Sequence, residues 1–226
     1  MKKTLCGILS LSMLLLGLGH SMAESAGAKL LYQGHGSLRI VTAEGKVIYV
    51  DPYAGEGYDL PADLILITHA HQDHTAVHLI KTKNADCRII TYKEALADGE
   101  YKTFDLGFAS VEAVQAGNNK NHSIKECVGW VITLPGGVTV YTSGDTSTTD
   151  QMAELAARNI DYAFFCCDGI YNMDMDEAIA CAKLVKAKHS VPYHMAPGKL
   201  FDRERAELFD VPGKHIIPAG EEITLE

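Results

Sequence analysis

The sequence predicts an α/β protein, and three observations carry that assignment. Short apolar runs rich in Val, Ile and Leu recur along the chain, bounded by glycine and polar residues as strands are. Beyond residue 75 these runs alternate with segments patterned as helices. Several runs also stop abruptly in polar clusters, which places those polar side chains at the carboxyl edge of a sheet, where open α/β structures hold their ligands.

The N-terminus follows a different logic. Lys2 and Lys3 precede an uncharged apolar stretch from Leu5 to Leu18, and Ser21-Met22-Ala23 then supplies small residues where a signal peptidase reads them. The stretch is shorter than the roughly 20 residues a membrane span needs. Residues 1–23 therefore read as a secretory signal peptide and 24–226 as a single domain, with an uncleaved anchor as the alternative. Export to the periplasm or the medium is expected, with no membrane span after cleavage. Cys6 precedes the apolar stretch instead of following it, which argues against a lipoprotein.

Composition narrows the partners. The 226 residues hold 20 basic and 29 acidic side chains, a net charge of −9, and loss of Lys2 and Lys3 takes it to about −11. Such a chain repels a polyanion, so nucleic acid is disfavoured and a small-molecule substrate expected. Past Cys6 the cysteines are Cys87, Cys127, Cys166, Cys167 and Cys181, an odd number without CxxC spacing, so no disulfide framework is indicated.

In chain order, Leu30–Tyr32, Ser37–Val41 and Lys46–Val50 read as a strand meander punctuated by Gly34, Gly36 and Gly45. Pro52 forces the chain out of the sheet and leaves Asp51 at its edge, either as an ordinary turn residue or as a carboxylate that orients a ligand histidine. Leu64–Ile67 is a buried strand that ends in Thr68-His69-Ala70-His71-Gln72-Asp73-His74. A helix is expected over Thr75–Lys83, then a strand at Cys87–Thr91 and a short helix over Lys93–Asp98. Phe108–Val114 alternates as a strand and leads into the polar loop Gln115–His122. Val128–Leu134 and Val138–Thr142 form a hairpin about Pro135-Gly136-Gly137, whose second strand runs into Ser143-Gly144-Asp145-Thr146. A helix over Thr149–Arg158, a core strand Ile160–Cys166 and a helix from Met173 to about Ala187 follow. Ser190–His194 is a final strand ending on a histidine.

Imidazole and carboxylate suit zinc and other first-row metals, and the His-x-His-x-Asp-His spacing offers four such groups from one turn. His69 and His71 can project together from an extended segment, whereas Asp73 and His74 point elsewhere, so two neighbouring metal positions are expected. Asp145, at a strand end after glycine, can offer one carboxylate oxygen to each of two cations. Two such ions sharing a hydroxide would bring water toward ionisation near neutral pH. His78, His189 and His215 lack this context and read as surface residues.

Thr68-His69-Ala70-His71-Gln72-Asp73-His74 resembles the signature of the metallo-β-lactamase superfamily. The resemblance implies a four-layer αβ/βα sandwich with a hydrolytic site for one or two metals at one edge, with zinc expected and manganese or iron as alternatives. It also implies that His69 and His71 serve the first metal, that Asp145 is shared, and that His194 completes the second site with Asp73 and His74. Asp73 and Asp145 are the expected catalytic carboxylates. Gly34-His35-Gly36-Ser37, Ser143-Gly144-Asp145 and Pro192-Tyr193-His194 look closer to the branch of ascorbate-phosphate lactonase-like hydrolases than to antibiotic-hydrolysing lactamases, with His35 near the site but off the metal.

The chain departs from the family at one point. The position that carries a third histidine for the first metal falls on or near Asn118, and the only nearby histidine, His122, comes later. Either the loop folds back to deliver His122, or Asn118 or water completes the shell. Two functions follow: a metal-dependent hydrolase of an ester, lactone or phosphoester, or a non-catalytic metal-binding or sensory domain with an incomplete first site. A redox di-iron centre is disfavoured, because His71 stands where oxygen-reducing relatives carry glutamate.

Overall fold

In the computed structural model, which describes residues 27–226, the strands sort into two six-stranded sheets. The expected signal peptide, residues 1–23, lies outside the described residues. The first sheet begins as the antiparallel meander β1 (Lys29–Gly34), β2 (Ser37–Val41) and β3 (Val47–Val50), to which β4 (Ala62–Ile67) and β5 (Lys83–Thr91) add in parallel. The second runs antiparallel through β6 (Thr103–Asp105), β7 (Ser110–Gln115), β8 (Val128–Thr133) and β9 (Thr139–Thr142), then parallel through β10 (Tyr162–Cys166) and β11 (His189–Tyr193). A last short strand, β12 (Glu222–Thr224), returns to pair with β1.

Alternation along the strands builds the core. Leu30, Tyr32, Leu38, Ile40, Ile48, Val50, Leu64 and Leu66 share one cluster with Val111, Trp130, Ile132, Val140 and Phe164, so the two sheets pack face to face. The intervening residues Val47, Tyr49, Ala62, Ile65 and Ile67 point to the other face of the first sheet, under Tyr58 and Ile80. Outside the second sheet, α2 (Met175–Val185) buries Ala178, Cys181, Ala182 and Val185, and packs on β10 and on the 3-10 stretch Asp150–Arg158. Asp174 caps α2 by accepting the Glu177 N–H at 2.8 Å, and Lys186 closes it in the left-handed region. This is the layered αβ/βα sandwich the sequence predicts.

One outer layer is thinner than expected. Thr75–Lys83 is not a helix: a 3-10 turn, Gln72–His74, precedes the segment, which itself holds only one more, Val77–Leu79, and β5 already starts at Lys83. Two of its backbone donors go sideways, Ala76 N–H to Pro52 O at 2.7 Å and Lys81 N–H to Tyr58 O at 3.2 Å, and the local bonds of Leu79 to Ala76 O and Ile80 to Val77 O close only a tight turn, so no α-helical ladder forms. Val77, Leu79 and Ile80 are spent instead on covering the outer face of β4. The Lys93–Asp98 helix is reduced to α1 (Tyr92–Ala95) plus a turn, and β6, β12 and α3 (Arg203–Leu208) are elements with no strong pattern of their own. No helix among the described residues is long and apolar enough to cross a membrane. The five cysteines past Cys6 are free, and burial pushes the Cys127 and Cys167 thiols up to about 12.

Asp63 ties the strands at the end of the sheet away from the histidines. It accepts the Val47 N–H, the Lys46 Nζ and the Asn84 Nδ2, each at 2.9 Å, and these bonds hold its carboxyl below the usual range against the opposing effect of burial. A depressed carboxyl stabilises the fold above its unfolded-state pKa and loses that contribution as pH falls through the folded value. Asp63→Ala should therefore cost about 1–3 kcal/mol at neutral pH. The difference from wild type, read by urea unfolding, should shrink as the pH is taken below about 4.

Candidate metal centre

Eight side chains converge from strand ends and one turn that are distant in sequence. Asp51 follows β3, His69 to His74 follow β4, Asp145 follows β9 and His194 follows β11, while His35 sits in the turn between β1 and β2. These are carboxyl ends, except for the turn that carries His35.

The first cluster answers the question raised by the loop after β7. Ring nitrogens of His69, His71 and His122 lie within 4.8 Å of one another, and His122 Nε2 is 3.2 Å from His71 Nδ1. The loop folds back through Gly117 (φ +91°) and Asn118 (φ +61°), and Asn119 Oδ1 accepts the backbone N–H groups of Asn121 and His122, each at 2.9 Å. A Cβ on Gly117 would lie 2.8 Å from the Ser123 carbonyl carbon, so only glycine permits this close return. Asn118 does not reach the cluster. It is exposed, and its Nδ2 donates to Thr148 O at 2.7 Å, because the left-handed turn aims it away from the histidines. Its expected place beside the first site is thus corrected in favour of Asn119, which also lies 3.2 Å from His122 Nδ1.

A second cluster joins His35, Asp73, His74 and His194. Between the two lies Asp145, buried, with carboxylate oxygens 3.4 Å from His74 Nε2, His122 Nε2 and His194 Nε2. His35 is nearer than the sequence implied: its Nε2 is 3.1 Å from Asp73 Oδ2, and its ring centroid is 3.7 Å from that of His194. His71 is exposed, Asp73 is partly exposed, and His69, His74, His122 and His194 are buried.

Supporting groups fix the tautomers. Asp51 accepts the Thr68 N–H at 2.8 Å and the Thr68 hydroxyl at 2.6 Å, and His74 Nδ1 is 2.9 Å from the same carboxylate. Since Thr68 Oγ1 gives its proton to Asp51, it can only accept from His69 Nδ1, 3.0 Å away. Both His69 and His74 therefore carry hydrogen on Nδ1 and turn Nε2 inward. Asp168, unassigned from sequence, takes the Ile170 and Tyr171 N–H groups, each at 2.7 Å, and lies 3.5 Å from His194 Nδ1. Asn172 donates to Asp145 Oδ2 at 2.9 Å and to Asp168 Oδ2 at 2.7 Å. In the sequence this second support shows only as Asp168-Gly169, two residues past the core strand that ends at Cys166.

Electrostatics separate the charged from the neutral groups. Burial lowers His69 to about 2, reinforced by His74, and burial also lowers His122 and His194. Burial opposes the charge on Asp145, but His194 and His74 hold its carboxyl well below the usual range. His74 resists burial because Asp145 and Asp51 flank it, and its pKa is raised well above the ordinary value.

The donor set fits divalent metal. His69 Nε2, His74 Nε2, His194 Nε2 and Asp145 Oδ1 are buried and have no hydrogen-bond partner, although such groups in folded proteins are almost always satisfied. Neutral imidazoles around an anionic carboxylate are what zinc and its neighbours bind.

A family profile described as the beta-lactamase superfamily domain matches residues 29–194. The chain belongs to the metallo-β-lactamase superfamily. A metal-dependent hydrolase of Bacillus thuringiensis is 30% identical over 230 aligned positions, covering 87% of this chain and 100% of the relative. Another from Anoxybacillus flavithermus is 30% identical over 193, covering 74% and 85%. A crystal structure described as a metal-dependent hydrolase of Parabacteroides distasonis superposes with a TM-score of 0.68 at 28% identity, covering 83% of this chain and 91% of that one. A metallo hydrolase of Ignicoccus hospitalis shares the fold, with a TM-score of 0.70 at 22% identity over 88% and 98%. The protein is an enzyme of this metal-dependent hydrolase class.

The geometry separates the two loop residues sharply. His122→Ala should remove about one equivalent of bound metal, measured by elemental analysis of the purified protein, and Gly117→Ala should do the same by displacing the loop. Asn118→Ala should leave the metal content unchanged. Asp51→Ala should weaken metal binding by about 10–100-fold in competition with a chromogenic chelator.

Proposed function

We propose that the protein hydrolyses a small ester, lactone or phosphoester with two divalent cations, zinc in first place. His69, His71, His122 and Asp145 would hold one; Asp73, His74, His194 and Asp145 the other. The observation that carries this is Asp145, a buried carboxylate 3.4 Å from three imidazole nitrogens that belong to both clusters. Metal ions in such a site polarise the scissile carbonyl or phosphoryl group and ease the ionisation of water.

The chain's own residues do the rest. A cavity of about 170 Å³ is lined by His71, Asp73, His122, Asp145, Tyr171 and His194, so a reacting centre placed there touches both clusters. Asp73 accepts from His35 through one oxygen and keeps the group partly open to the cavity, where it can orient the attacking water. The hydrogen bonds to Asp51, Thr68, Asn119 and Asn172 hold the other groups in place, so little reorganisation accompanies reaction. A larger hollow of about 650 Å³ by Arg39, Tyr58 and Lys81 has none of these groups in its wall.

The alternative of a non-catalytic metal-binding domain rested on the histidine missing at Asn118, and it loses its motive once His122 stands beside His71. The Gly34-His35, Ser143-Gly144-Asp145 and Pro192-Tyr193-His194 segments support a lactonase-like branch within the reading. Residues 1–23 support export, and mass spectrometry of the protein recovered from fractionated cells should give Glu24 as the mature N-terminus.

Chelator-treated protein should lose hydrolysis of an ester, lactone and phosphodiester panel and regain it with zinc. Asp145→Asn should lower kcat/KM by more than about 100-fold, since supporting residues alone are worth 10–100-fold in related metal sites. Full activity in that variant would sink the assignment.

A further inference from the structure

The mouth of the cavity carries a feature that metal binding does not require. Ile170 and Tyr171 are 57% and 52% exposed, yet their segment is firmly held. Their N–H groups both bond to Asp168 Oδ1, Tyr171 O accepts from Asn121 Nδ2 at 3.1 Å, and the Gly169 N–H reaches Met173 O at 3.0 Å. Asn172, the next residue, is tied to Asp145 itself. A rigid backbone thus presents two large apolar side chains to solvent, one of which lines the cavity wall beside the metal-ligand candidates. Tyr53 and Leu200, also exposed, flank His35: the Tyr53 ring centroid is 5.0 Å from that of His35, and Leu200 O accepts the His35 N–H at 2.8 Å. An exposed aromatic side chain held on a pre-ordered segment in the cavity wall marks a binding surface, because the ordering entropy of binding is already spent.

Charge points the same way. Among the described residues no lysine or arginine lines the cavity, whereas Asp73 and Asp145 do. The nearest candidates in sequence after His194 are engaged: Lys199 Nζ is 2.8 Å from Asp202, Arg203 pairs with Glu207 at 3.7 Å, and Arg205 donates to Cys167 O and Asp168 O. Among the described residues, neither the cavity wall nor these three side chains offers a free cation for the residual charge of a phosphoester.

We propose that the substrate is an uncharged carboxylic ester or lactone whose apolar group rests on Tyr171. This rests on the hydrolytic reading above. In the reaction the water oxygen bonds to the acyl carbon, the bond from that carbon to the alkoxy oxygen breaks, and its electron pair and one water proton leave with the alkoxy oxygen as the alcohol. The products are a carboxylic acid and an alcohol, joined in one molecule when the substrate is a lactone. No co-reactant besides water is needed.

The test uses the zinc-loaded protein with 4-nitrophenyl phenylacetate, 4-nitrophenyl acetate and bis(4-nitrophenyl) phosphate. The phenylacetate ester should exceed the acetate ester in kcat/KM by about tenfold, the order expected of one aromatic contact plus its buried area, and the phosphodiester should trail both. Tyr171→Ser should bring the ratio of the two esters toward one, and Tyr171→Phe should keep it; the side chain is exposed, so neither change threatens folding. Calorimetric binding of phenylacetate, acetate and inorganic phosphate gives a readout without turnover, with phenylacetate expected to bind tightest. Equal binding of the two carboxylates, or a preference for phosphate or the phosphodiester, overturns the proposal. Phenylacetate preference with no ester turned over would leave apolar recognition standing and overturn the hydrolytic reading instead.

Discussion

The arrangement depends first on the carboxylate of Asp51. It is fully buried at the end of β3 with φ +44°, and it is satisfied by the Thr68 N–H, the Thr68 hydroxyl and His74 Nδ1. Because a buried charge must be paired or hydrogen-bonded, this one carboxylate obliges β4 to end beside β3 with its polar residues turned inward. It orients His74 directly and His69 through the Thr68 hydroxyl, and its own carbonyl receives Ser37 Oγ at 2.6 Å, so the ends of β2, β3 and β4 are locked to the site. A change at Asp51 would disturb two ligand candidates without touching either cavity wall.

The second sheet repeats the device with different residues. Asp168 ends β10, as Asp51 ends β3, and links the His194 ring to a loop that carries both Asn172 and Tyr171. Three site residues, His35, Asp51 and His194, sit in the left-handed region that side chains usually avoid. Each is over-determined by neighbours. The His194 N–H bonds to His35 O at 2.9 Å, Cys167 N–H bonds to His194 O, and Tyr32 OH donates to His35 O at 3.0 Å. Gly36 completes this packing, since a Cβ there would meet His74 Cε1 at 2.9 Å. Backbone strain is thus held where the two halves of the site meet.

What was legible in the sequence was whatever a strand end announces locally. His69, His71, Asp73, His74, Asp145 and His194 each follow an apolar run, and the run gives both the element and the edge at which it stops. His122 follows no strand directly: its delivery depends on Gly117 tolerating the Ser123 backbone and on Asn119 nucleating a turn, contacts that spacing does not encode. The Thr75–Lys83 helix failed for a related reason, because the Pro52 and Tyr58 carbonyls take the Ala76 and Lys81 N–H groups at either end of the segment. Edge strands β6 and β12 exist mainly through pairing with β7 and β1. Asp168 gave only an ambiguous signal, because an aspartate followed by glycine reads equally well as a turn, and Asn172 lies in the loop beyond it with no local pattern of its own.

The same geometry links folding to metal. Four buried lone-pair atoms without donors would each cost on the order of 1–3 kcal/mol if left bare, against a net stability for an ordinary domain of about 5–15 kcal/mol. Protonation can satisfy only part of that set: His74 is raised by its two carboxylates, but His69 is driven to about 2 by burial and by His74 itself, so a second proton is refused. A divalent cation held by Asp145 and the neutral forms of His69, His74 and His194 would meet no such conflict, since it would supply positive charge to all of these lone pairs without adding a proton. Binding and stability at this site are therefore one quantity, and the supporting residues, by holding the lone pairs inward in advance, convert fold stability into metal affinity.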